Sequence, residues 1–350
     1  MNLREQLDRH HSGTIITSVP CRVDFGGTLD ISTFYLPLNR VSPSSVNIAL
    51  DMRTRVTLTG FEPGKIKISS KGFESAVFDA HGAPYDHPMG LMFAIADYFD
   101  AHGVHIRIES SSPPRSALGG SSSAAVAIIS GFFKAMGLPM DPARIAWLAH
   151  YIESSVAGVP CGMQDQLAAA FGGVNQWTWK MGRVGPEFDR HVILDEKAEL
   201  TRLESHLMVA YCGNPHVSKD INQRWVQGFI AGENRSRFRE IAKITQKFAE
   251  AVKSGDWRTA AGLMNLETGI RLEMTPDVLD NMGQNMFDMA KEFDCGVRFT
   301  GAGGGGCIWS IGETHNISQL RNAFVDLTST LETSKVLDTR IDPHGILVHE

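Results

Sequence analysis

A segment rich in serine and glycine lies between a predicted strand and a predicted helix, at positions 113–124. It reads PPRSALGGSSSA: two prolines end the strand, and the glycines allow the backbone to approach a ligand closely. The serines stand where the helix begins, beside free N–H groups and the positive end of the helix dipole. Such a helix start suits a phosphate, with hydroxyls in reach of Mg²⁺. A capped, flexible loop is the alternative, but the apolar helix that follows favours the phosphate site.

A second glycine-rich segment, TGAGGGGC, occupies positions 300–307 and formally contains the pattern GxGxxG. A dinucleotide-binding loop of that pattern requires a helix directly after it, whereas the residues that follow, CIWSI, are typical of a strand. We therefore interpret the segment as a glycine loop between two strands, which packs backbones closely or supports a ligand loop. No GxxxxGK[ST] motif occurs, so neither segment is a Walker A loop.

Two acidic residues are candidates for acid–base and metal chemistry. Asp165 follows a turn of sequence GVPCG and precedes a run of small residues, so its carboxylate is expected to point into a cleft. There it could accept the proton of a substrate hydroxyl during phosphoryl transfer, while Glu153 could hold a metal. Simple capping of a helix start by Asp165 is the alternative.

A further charged pair follows the first predicted strand, within the sequence RVDFGGTLD. Arg22 could neutralise developing charge or polarise a nucleophile. Asp30 could bind a sugar, because a carboxylate accepts two hydrogen bonds from a vicinal diol. A salt-bridged turn explains these two residues equally well.

The elements that must position these residues are strands and helices without a strict βαβ period, which favours an α+β fold over a doubly wound sheet. The predicted helices are 88–102, 121–136, 142–157, 218–232, 235–253, 256–270 and 276–293. The predicted strands are 14–19, 54–60, 104–109, 207–211, 296–300 and 306–311, with a last pair, 335–341 and 345–349, that turns at Pro343. The polar stretch 183–205 is the expected boundary between two halves.

Length and composition exclude several classes of protein. The 350 residues suggest about two domains, and the net charge of −6 shows no basic footprint for nucleic acid. No run of 18 apolar residues occurs, so we expect no membrane span. The polar N-terminus lacks the apolar core of a signal peptide. Five scattered cysteines without a CxxC pair suggest neither a zinc site nor a disulfide framework, so we expect a cytoplasmic protein.

The motifs together, in this order, resemble those of the GHMP kinase superfamily, which includes galactokinase, homoserine kinase, mevalonate kinase and phosphomevalonate kinase. The segment 113–124 is similar to the PxxxGLGSSAA loop, 300–306 matches TGAGGGG, and Arg22 and Asp30 match the early motif. The resemblance implies an α+β fold of two domains: a ribosomal S5 domain 2-like N-terminal domain at 1–195 and a ferredoxin-like C-terminal domain at 196–350. ATP would lie between them.

The segment CGMQDQ resembles CGxMDQ of galactokinases, and GMQDQLAAAFGGVN resembles QDQYAAAFGG of heptose-phosphate kinases. This implies Asp165 as the catalytic base, Arg22 as its partner, and Mg²⁺ held by Glu153 with Ser121 or Ser122. The nucleotide-binding residues implied are Pro114, Ser116, Leu118, Gly119, Gly120, Ser121, Ser122, Ser123, Gly303 and Gly304. The substrate-binding residues implied are Asp30, Gly162, Gln164, His216 and Gly301.

Departures from the family motifs leave some roles open. Galactokinases carry GEHTDY where this chain has FGGTLDI, which is closer to GGGTD with Leu29 inserted, so the identity of the sugar stays open. Ala117 stands where glycine is common and Gly120 where serine is common, which leaves open which serine binds Mg²⁺.

The resemblance implies an ATP- and Mg²⁺-dependent kinase that phosphorylates a hydroxyl of a sugar or sugar phosphate, the anomeric one in particular. The expected partner is that small molecule, with no nucleic acid and no membrane, and the expected assembly is a monomer or homodimer. One alternative acceptor is a non-sugar alcohol such as homoserine or mevalonate. A catalytically inactive sensor of sugar or nucleotide is the alternative from another class.

Overall fold

The structure, a computed structural model, describes residues 3–7, 13–182, 186–214 and 219–349. The helices of these residues are α1 (Leu3–Leu7), α2 (Ser32–Tyr35), α3 (Gly90–Tyr98), α4 (Gly120–Ala135), α5 (Pro142–Val156), α6 (Gln164–Phe171), α7 (Lys197–Glu204), α8 (Lys219–Ala231), α9 (Arg235–Ser254), α10 (Trp257–Met274), α11 (Asn281–Glu292) and α12 (Thr314–Thr328), with short 3-10 helices at Asn39–Val41 and Pro276–Val278. The strands are β1 (Thr14–Phe25), β2 (Ser44–Gly60), β3 (Lys65–Ser70), β4 (Ala76–Asp79), β5 (Val104–Ser110), β6 (Val174–Met181), β7 (Pro186–Leu194), β8 (Leu207–Tyr211), β9 (Gly296–Phe299), β10 (Cys307–Ile311), β11 (Lys335–Leu337) and β12 (Leu347–His349).

The first sheet has the strand order β12-β1-β2-β5-β3-β4, with β6 beside β2 and β7 beside β6. Its pairs are antiparallel apart from the parallel pair of β3 and β5. The long strand β2 joins the sheet because one half pairs with β5 and the other half with β6, while β1 runs along most of it.

Helices α4 and α6 pack against β1 and β2, and α5 packs against both helices. The sequence of α4 is apolar on nearly every side, as Ala125, Ile128 and Phe132 illustrate, and all three are completely buried. A helix without a polar face is stable only where neighbours cover it all round, so α4 forms the centre of the N-terminal half. Its first turn, which carries the serines, is thereby fixed relative to β1.

The second sheet is antiparallel, in the order β11-β8-β10-β9, and α10 packs closely on β9. Helix α9 pairs with α10 and also contacts β2 and β7 of the first sheet. The mixture of helices and strands in two sheets confirms the α+β prediction.

The predicted elements agree with the structure at most positions, with two corrections. The final strands do not pair with each other: β11 pairs with β8, whereas β12 pairs with β1 in the first sheet. The predicted helix 276–293 is divided, since a 3-10 turn ends at Val278 and Asp280 then caps α11 by accepting a hydrogen bond from the Gly283 N–H at 2.7 Å.

The domain limits 1–195 and 196–350 stay a prediction. Between β7 and β8 the chain passes from the first sheet to the second, close to the predicted boundary. The last residues leave the second sheet after β11, and Arg340 and Ile341 lie beside β2 before β12 joins β1. Within the described residues, no helix is both long and apolar enough to cross a membrane.

Candidate active site

A cleft of about 980 Å³ is lined by residues from both halves of the chain. Most of the residues singled out from the sequence meet there. The ones that line it are Arg22, Asp30, Pro114, Ser116, Gly119, Gly120, Ser121, Ser122, Glu153, Gly162, Gln164, Asp165 and Gly301. Residues of all three motifs that resemble the GHMP kinases therefore lie in one cleft.

Four predicted nucleotide-binding residues do not line this cleft. Leu118 is buried in the core, and the Ser123 hydroxyl donates to the Pro20 carbonyl at 3.2 Å, so this serine faces β1. Gly303 and Gly304 pack on Val278, whose carbonyl accepts the Gly304 N–H at 2.8 Å. These four residues shape the walls behind the cleft.

The predicted substrate residue His216 lies outside the described residues.

Arg22 and Asp165 form a two-point ion pair at the cleft. Nε and Nη2 of Arg22 each donate to one carboxylate oxygen of Asp165, both at 2.8 Å, and Nη1 donates to the Ala117 carbonyl at 2.7 Å. Burial lowers the pKa of Arg22, but the charges of Asp165 and Asp24 outweigh burial and raise that pKa overall. The guanidinium therefore stays charged and fixes the orientation of the carboxylate.

Asp165 stands in the first turn of α6, where the helix dipole favours a negative charge. Its side chain is 25% exposed, so the carboxylate is open to the cleft while Arg22 is only 4% exposed. Burial raises the pKa of Asp165 above its ordinary value, with the Arg22 charge acting against it. An oriented carboxylate with a raised pKa is suited to accept a proton.

The serines at the start of α4 face Glu153 of α5. Ser121 and Ser122 each donate a hydrogen bond to one oxygen of the Glu153 carboxylate, both at 2.8 Å. Gln166 donates to the same carboxylate at 2.7 Å, and its own buried carbonyl oxygen Oε1 has no hydrogen-bond partner in the described residues. Burial raises the pKa of Glu153, and the serine hydrogen bonds oppose that rise.

This group of oxygen donors fits a magnesium ion. Mg²⁺ prefers carboxylate and hydroxyl oxygens, and it usually keeps several waters that need further acceptors. The Glu153 carboxylate and the hydroxyls of Ser121 and Ser122 could bind the ion directly. The side-chain oxygen of Gln166, which has no hydrogen-bond partner in the described residues, could accept a hydrogen bond from a metal-bound water.

Asp30 occupies a narrow space beside Gly162 at another side of the cleft. Its Oδ2 accepts the backbone N–H of Gln164 at 3.0 Å, and a Cβ at position 162 would lie 1.8 Å from the same oxygen. Burial raises the pKa of Asp30 to about 7, against the hydrogen bond from Gln164. Glycine at 162 is therefore required by the carboxylate, which suits recognition of hydroxyl groups.

The glycine cluster supports the serine loop directly. The Cys307 N–H donates to the Ser116 carbonyl at 2.9 Å, and Gly306 lies so close that an added Cβ would be 2.8 Å from this carbonyl oxygen. Gly301 donates its N–H to Asp24 Oδ1 at 2.7 Å, next to Arg22. The segment therefore packs closely on the backbone of the serine loop, and its support of a bound ligand stays a prediction.

Sequence reasoning missed an apolar part of the cleft and several charged residues behind it. Apolar side chains that line the cleft near the serine loop are Phe73, Met89, Met92 and Ile108. Met89 and Met92 come from the start of α3, Ile108 from β5 and Phe73 from the segment between β3 and β4, so they share no motif. An apolar lining of this kind suits a nucleobase. Gln166 was detectable as the neighbour of Asp165 in the QDQ sequence, but its contact with Glu153 was not.

Comparison with known proteins agrees with this geometry. The family model for the GHMP kinases N terminal domain matches residues 87–173, which hold the serine loop, Glu153 and Asp165. A D-glycero-alpha-D-manno-heptose 7-phosphate kinase of Campylobacter jejuni is 26% identical over 309 residues, which cover 84% of this chain and 88% of that protein. Residues 87–173 thus match a GHMP kinase N-terminal domain, and the heptose 7-phosphate kinase is similar to this chain over most of its length.

Solved structures of GHMP kinases share the fold of this chain. A D-glycero-D-manno-heptose 1-phosphate kinase of Bacteroides thetaiotaomicron superposes with a TM-score of 0.73 at 18% identity, covering 96% of this chain and 99% of that one. Galactokinase of Lactococcus lactis, complexed with galactose, gives 0.72 at 16% identity, covering 99% and 98%. The α+β GHMP kinase fold is confirmed, and a two-domain arrangement is consistent with it. The homologues with this fold are ATP-dependent kinases that act on hydroxyl groups of sugars.

Proposed function

We propose that this protein is a GHMP kinase that transfers the γ-phosphate of ATP to a hydroxyl of a sugar or sugar phosphate, the anomeric hydroxyl in particular. The observation that carries the proposal is the placement of Asp165, fixed by Arg22 at two points, in the same cleft as the Asp30 carboxylate. One carboxylate is available to take a proton, and the other is available to bind neighbouring hydroxyls.

The proposed reaction follows from these positions. The acceptor hydroxyl attacks the γ-phosphorus in line, its proton passes to Asp165, and the bond from phosphorus to the β,γ-bridging oxygen breaks to leave ADP. The charge of Arg22 stabilises the ionised Asp165 before the transfer and faces the developing negative charge during it. Backbone N–H groups at the start of α4 face the nucleotide phosphates.

Magnesium would be held by Glu153 with Ser121 or Ser122, whose oxygens converge at the start of α4. When bound there, Mg²⁺ neutralises phosphate charge that would otherwise oppose the attack.

A sugar is favoured over a simple alcohol by the Asp30 pocket. The carboxylate is buried, accepts one backbone N–H through Oδ2, and keeps further acceptor positions for hydroxyls. The heptose 7-phosphate kinase among the relatives supports a sugar phosphate acceptor in the same position.

A non-sugar alcohol is the second candidate, because several relatives are mevalonate kinases; the one from Pyrococcus horikoshii is 25% identical over 225 residues. A catalytically inactive sensor is disfavoured, since it would have no need of the Arg22–Asp165 pair together with Glu153.

A panel of acceptors tests the proposal. Hexoses, heptoses, their phosphates, mevalonate and homoserine are each incubated with ATP and Mg²⁺, ADP release is measured, and the product is examined by ³¹P and ¹H NMR. We expect a sugar or sugar phosphate to be phosphorylated at its anomeric oxygen. Turnover of mevalonate or homoserine alone would establish the second candidate. Sugar binding without ADP release would establish the sensor.

The proposal includes a small-molecule partner, a cytoplasmic location and a monomeric or homodimeric chain, all of which stay predictions. All five cysteines are free, which suits a reducing compartment.

A further inference from the structure

A strained turn connects β1 to Asp30. Thr28 has a φ of +71°, in the left-handed region that a β-branched side chain rarely adopts. It is 6% exposed, lines the cleft and precedes Asp30 by two positions. A strained residue of this kind persists only where its surroundings hold it, so the contacts of the turn show what keeps Asp30 in place.

The turn is held by an arginine from the other half of the chain. Nη2 of Arg271 donates to the Gly27 carbonyl at 2.7 Å, and Nη1 donates to the Thr28 hydroxyl oxygen at 3.1 Å. Arg271 belongs to α10, which packs on the second sheet, and the residue is completely buried. Both hydrogen bonds therefore cross from the C-terminal half to the turn that carries Asp30.

Arg271 is itself fixed from several sides. Its Nε donates to Glu267 at 2.9 Å, and its guanidinium carbon lies 4.5 Å from the centre of the Trp225 ring and 5.1 Å from that of Phe238. The second oxygen of Glu267 accepts Arg298 at 3.0 Å. A guanidinium fixed by a carboxylate and two rings has little freedom to follow a moving turn.

The same network also contacts Asp24 of β1, which precedes the turn. Arg298 pairs with Asp24 at 3.0 Å, and all four charged side chains, Asp24, Glu267, Arg271 and Arg298, are completely buried. Removing one partner of such a network leaves a buried charge uncompensated, so the network holds both ends of the turn in one geometry.

We propose that Arg271 is a positioning residue for the acceptor: it holds Thr28 in the left-handed conformation that presents Asp30 to the cleft. The inference rests on the proposed function in one respect, the binding of the acceptor by Asp30. Arg271 acts on acceptor affinity through the turn, without touching the acceptor itself.

The first test replaces Arg271 by lysine, which keeps the charge but cannot form the fork to Gly27 and Thr28. We expect the acceptor KM to rise by about tenfold, the loss expected for a charged hydrogen bond, with the ATP KM unchanged. Arg235→Lys is the control, because Arg235 also donates two hydrogen bonds from its guanidinium, to the carbonyls of Phe229 and Ile230, away from the cleft. Equal changes in both KM values for Arg271→Lys would overturn the proposal.

The second test is rescue through the turn. Glycine adopts a positive φ without strain, so Thr28→Gly in the Arg271→Lys background should recover part of the acceptor affinity. Thr28→Ala removes the same hydroxyl but keeps the strain, so it should recover none. Equal effects of glycine and alanine would contradict the role given to Thr28 and Arg271.

Thermal melting provides a readout that needs no acceptor. If Arg271→Lys alone does not fold, restored folding with Thr28→Gly but not with Thr28→Ala supports the inference, and restoration by neither overturns it. A wild-type protein that phosphorylates no sugar would defeat the proposed function, whereas the coupling between positions 28 and 271 in melting would still decide this inference.

Discussion

The carboxylate of Asp30 fills the space that a side chain at position 162 would need: a Cβ added to Gly162 would lie 1.8 Å from Asp30 Oδ2 and 2.5 Å from Oδ1. The glycine belongs to the turn before α6, and the carboxylate belongs to the turn after β1. The close contact between these two turns therefore fixes the position of Asp30 relative to α6, the helix that carries Asp165.

Replacing Gly162 by alanine should displace Asp30. We expect the acceptor KM to rise by about tenfold or more, since overpacking by one methyl group costs roughly 1–3 kcal/mol. The ATP KM should stay near the wild-type value, because the serine loop is not touched. Initial rates at varied acceptor and ATP concentrations give both constants.

Gly262→Ala is the matched control for that variant. Gly262 lies within α10, and no atom comes within 4 Å of the added Cβ, so the change should stabilise the helix slightly. An unchanged acceptor KM in Gly162→Ala would show that Asp30 does not bind the acceptor where we place it.

The glycine cluster should act on the nucleotide through the serine loop. In Gly306→Ala the added Cβ would lie 2.8 Å from the Ser116 carbonyl oxygen and 2.9 Å from the Ala117 Cβ, at a φ of +85°. We expect a lower melting temperature and a higher ATP KM, with a smaller effect on the acceptor KM. Differential scanning fluorimetry and initial rates measure these effects.

Gly137→Ala is the control for Gly306→Ala, because it introduces the same backbone strain without a steric clash of the added Cβ. Its φ is +64°, but no atom lies within 4 Å of the added Cβ, so it should lower the melting temperature without changing the ATP KM. If Gly306→Ala leaves the ATP KM unchanged, as Gly137→Ala should, the glycine cluster has no part in nucleotide binding.

The pH dependence should follow Asp30. Its pKa is raised to about 7, so the carboxyl is neutral below that pH and loses acceptor capacity for hydroxyls. We expect kcat/KM for the acceptor to fall by about tenfold per unit below pH 7. Charged groups near Asp30 are Asp24 and Asp165, whose negative charges both raise this pKa. Asp30→Asn should remove the fall near pH 7.

The raised pKa of Asp30 also predicts that stability decreases as pH rises, whereas kcat/KM for the acceptor increases. Because the folded pKa lies above the ordinary value of 3.8, the folded state keeps a proton that the unfolded chain loses between about pH 4 and 7. The wild type is thus destabilised as pH rises through that window. Asp30→Asn should melt at a higher temperature than the wild type at pH 8, with the difference shrinking towards pH 4. A constant difference would contradict the shifted pKa.

Glu153→Gln should weaken the metal site. The substitution keeps the shape but removes the charge that faces Ser121 and Ser122, and a neutral amide is a poorer Mg²⁺ ligand. We expect the Mg²⁺ concentration for half-maximal activity to rise by about tenfold or more. Binding of Mn²⁺ in the presence of ADP, followed by electron paramagnetic resonance, should weaken in parallel. Glu240→Gln on the exposed face of α9 should change neither quantity.

Much of the fold was predictable because local patterns determine it. The apolar run of α4 is typical of a buried helix. Pro142 begins α5 as predicted, directly after the capping residue Asp141, which accepts the Ala143 N–H at 3.0 Å. The convergence of the serine loop with Asp165 was predictable only through the family motifs.

Other contacts depend on the assembled fold. The hydrogen bond from Arg271 to Gly27 joins residues 244 positions apart, and no spacing rule connects them. The β12 pairing with β1 is equally remote, whereas the sequence favoured a local hairpin. Gly303 stands in a motif that suggested ligand contact, but close packing on Val278 is a sufficient reason for glycine at this position.

Asp165→Asn tests the central claim most directly. The wild type and this variant are compared for ADP release with the best acceptor of the panel, and for ATP affinity by calorimetry, with the exposed Asp326→Asn as the control. We expect turnover to fall by about 10³-fold, within the range of a lost general base, while ATP affinity stays close to the wild type. The melting temperature should fall, because the buried Arg22 loses its charged partner. A folded Asp165→Asn variant with near-normal turnover would contradict the assignment of Asp165 as the base.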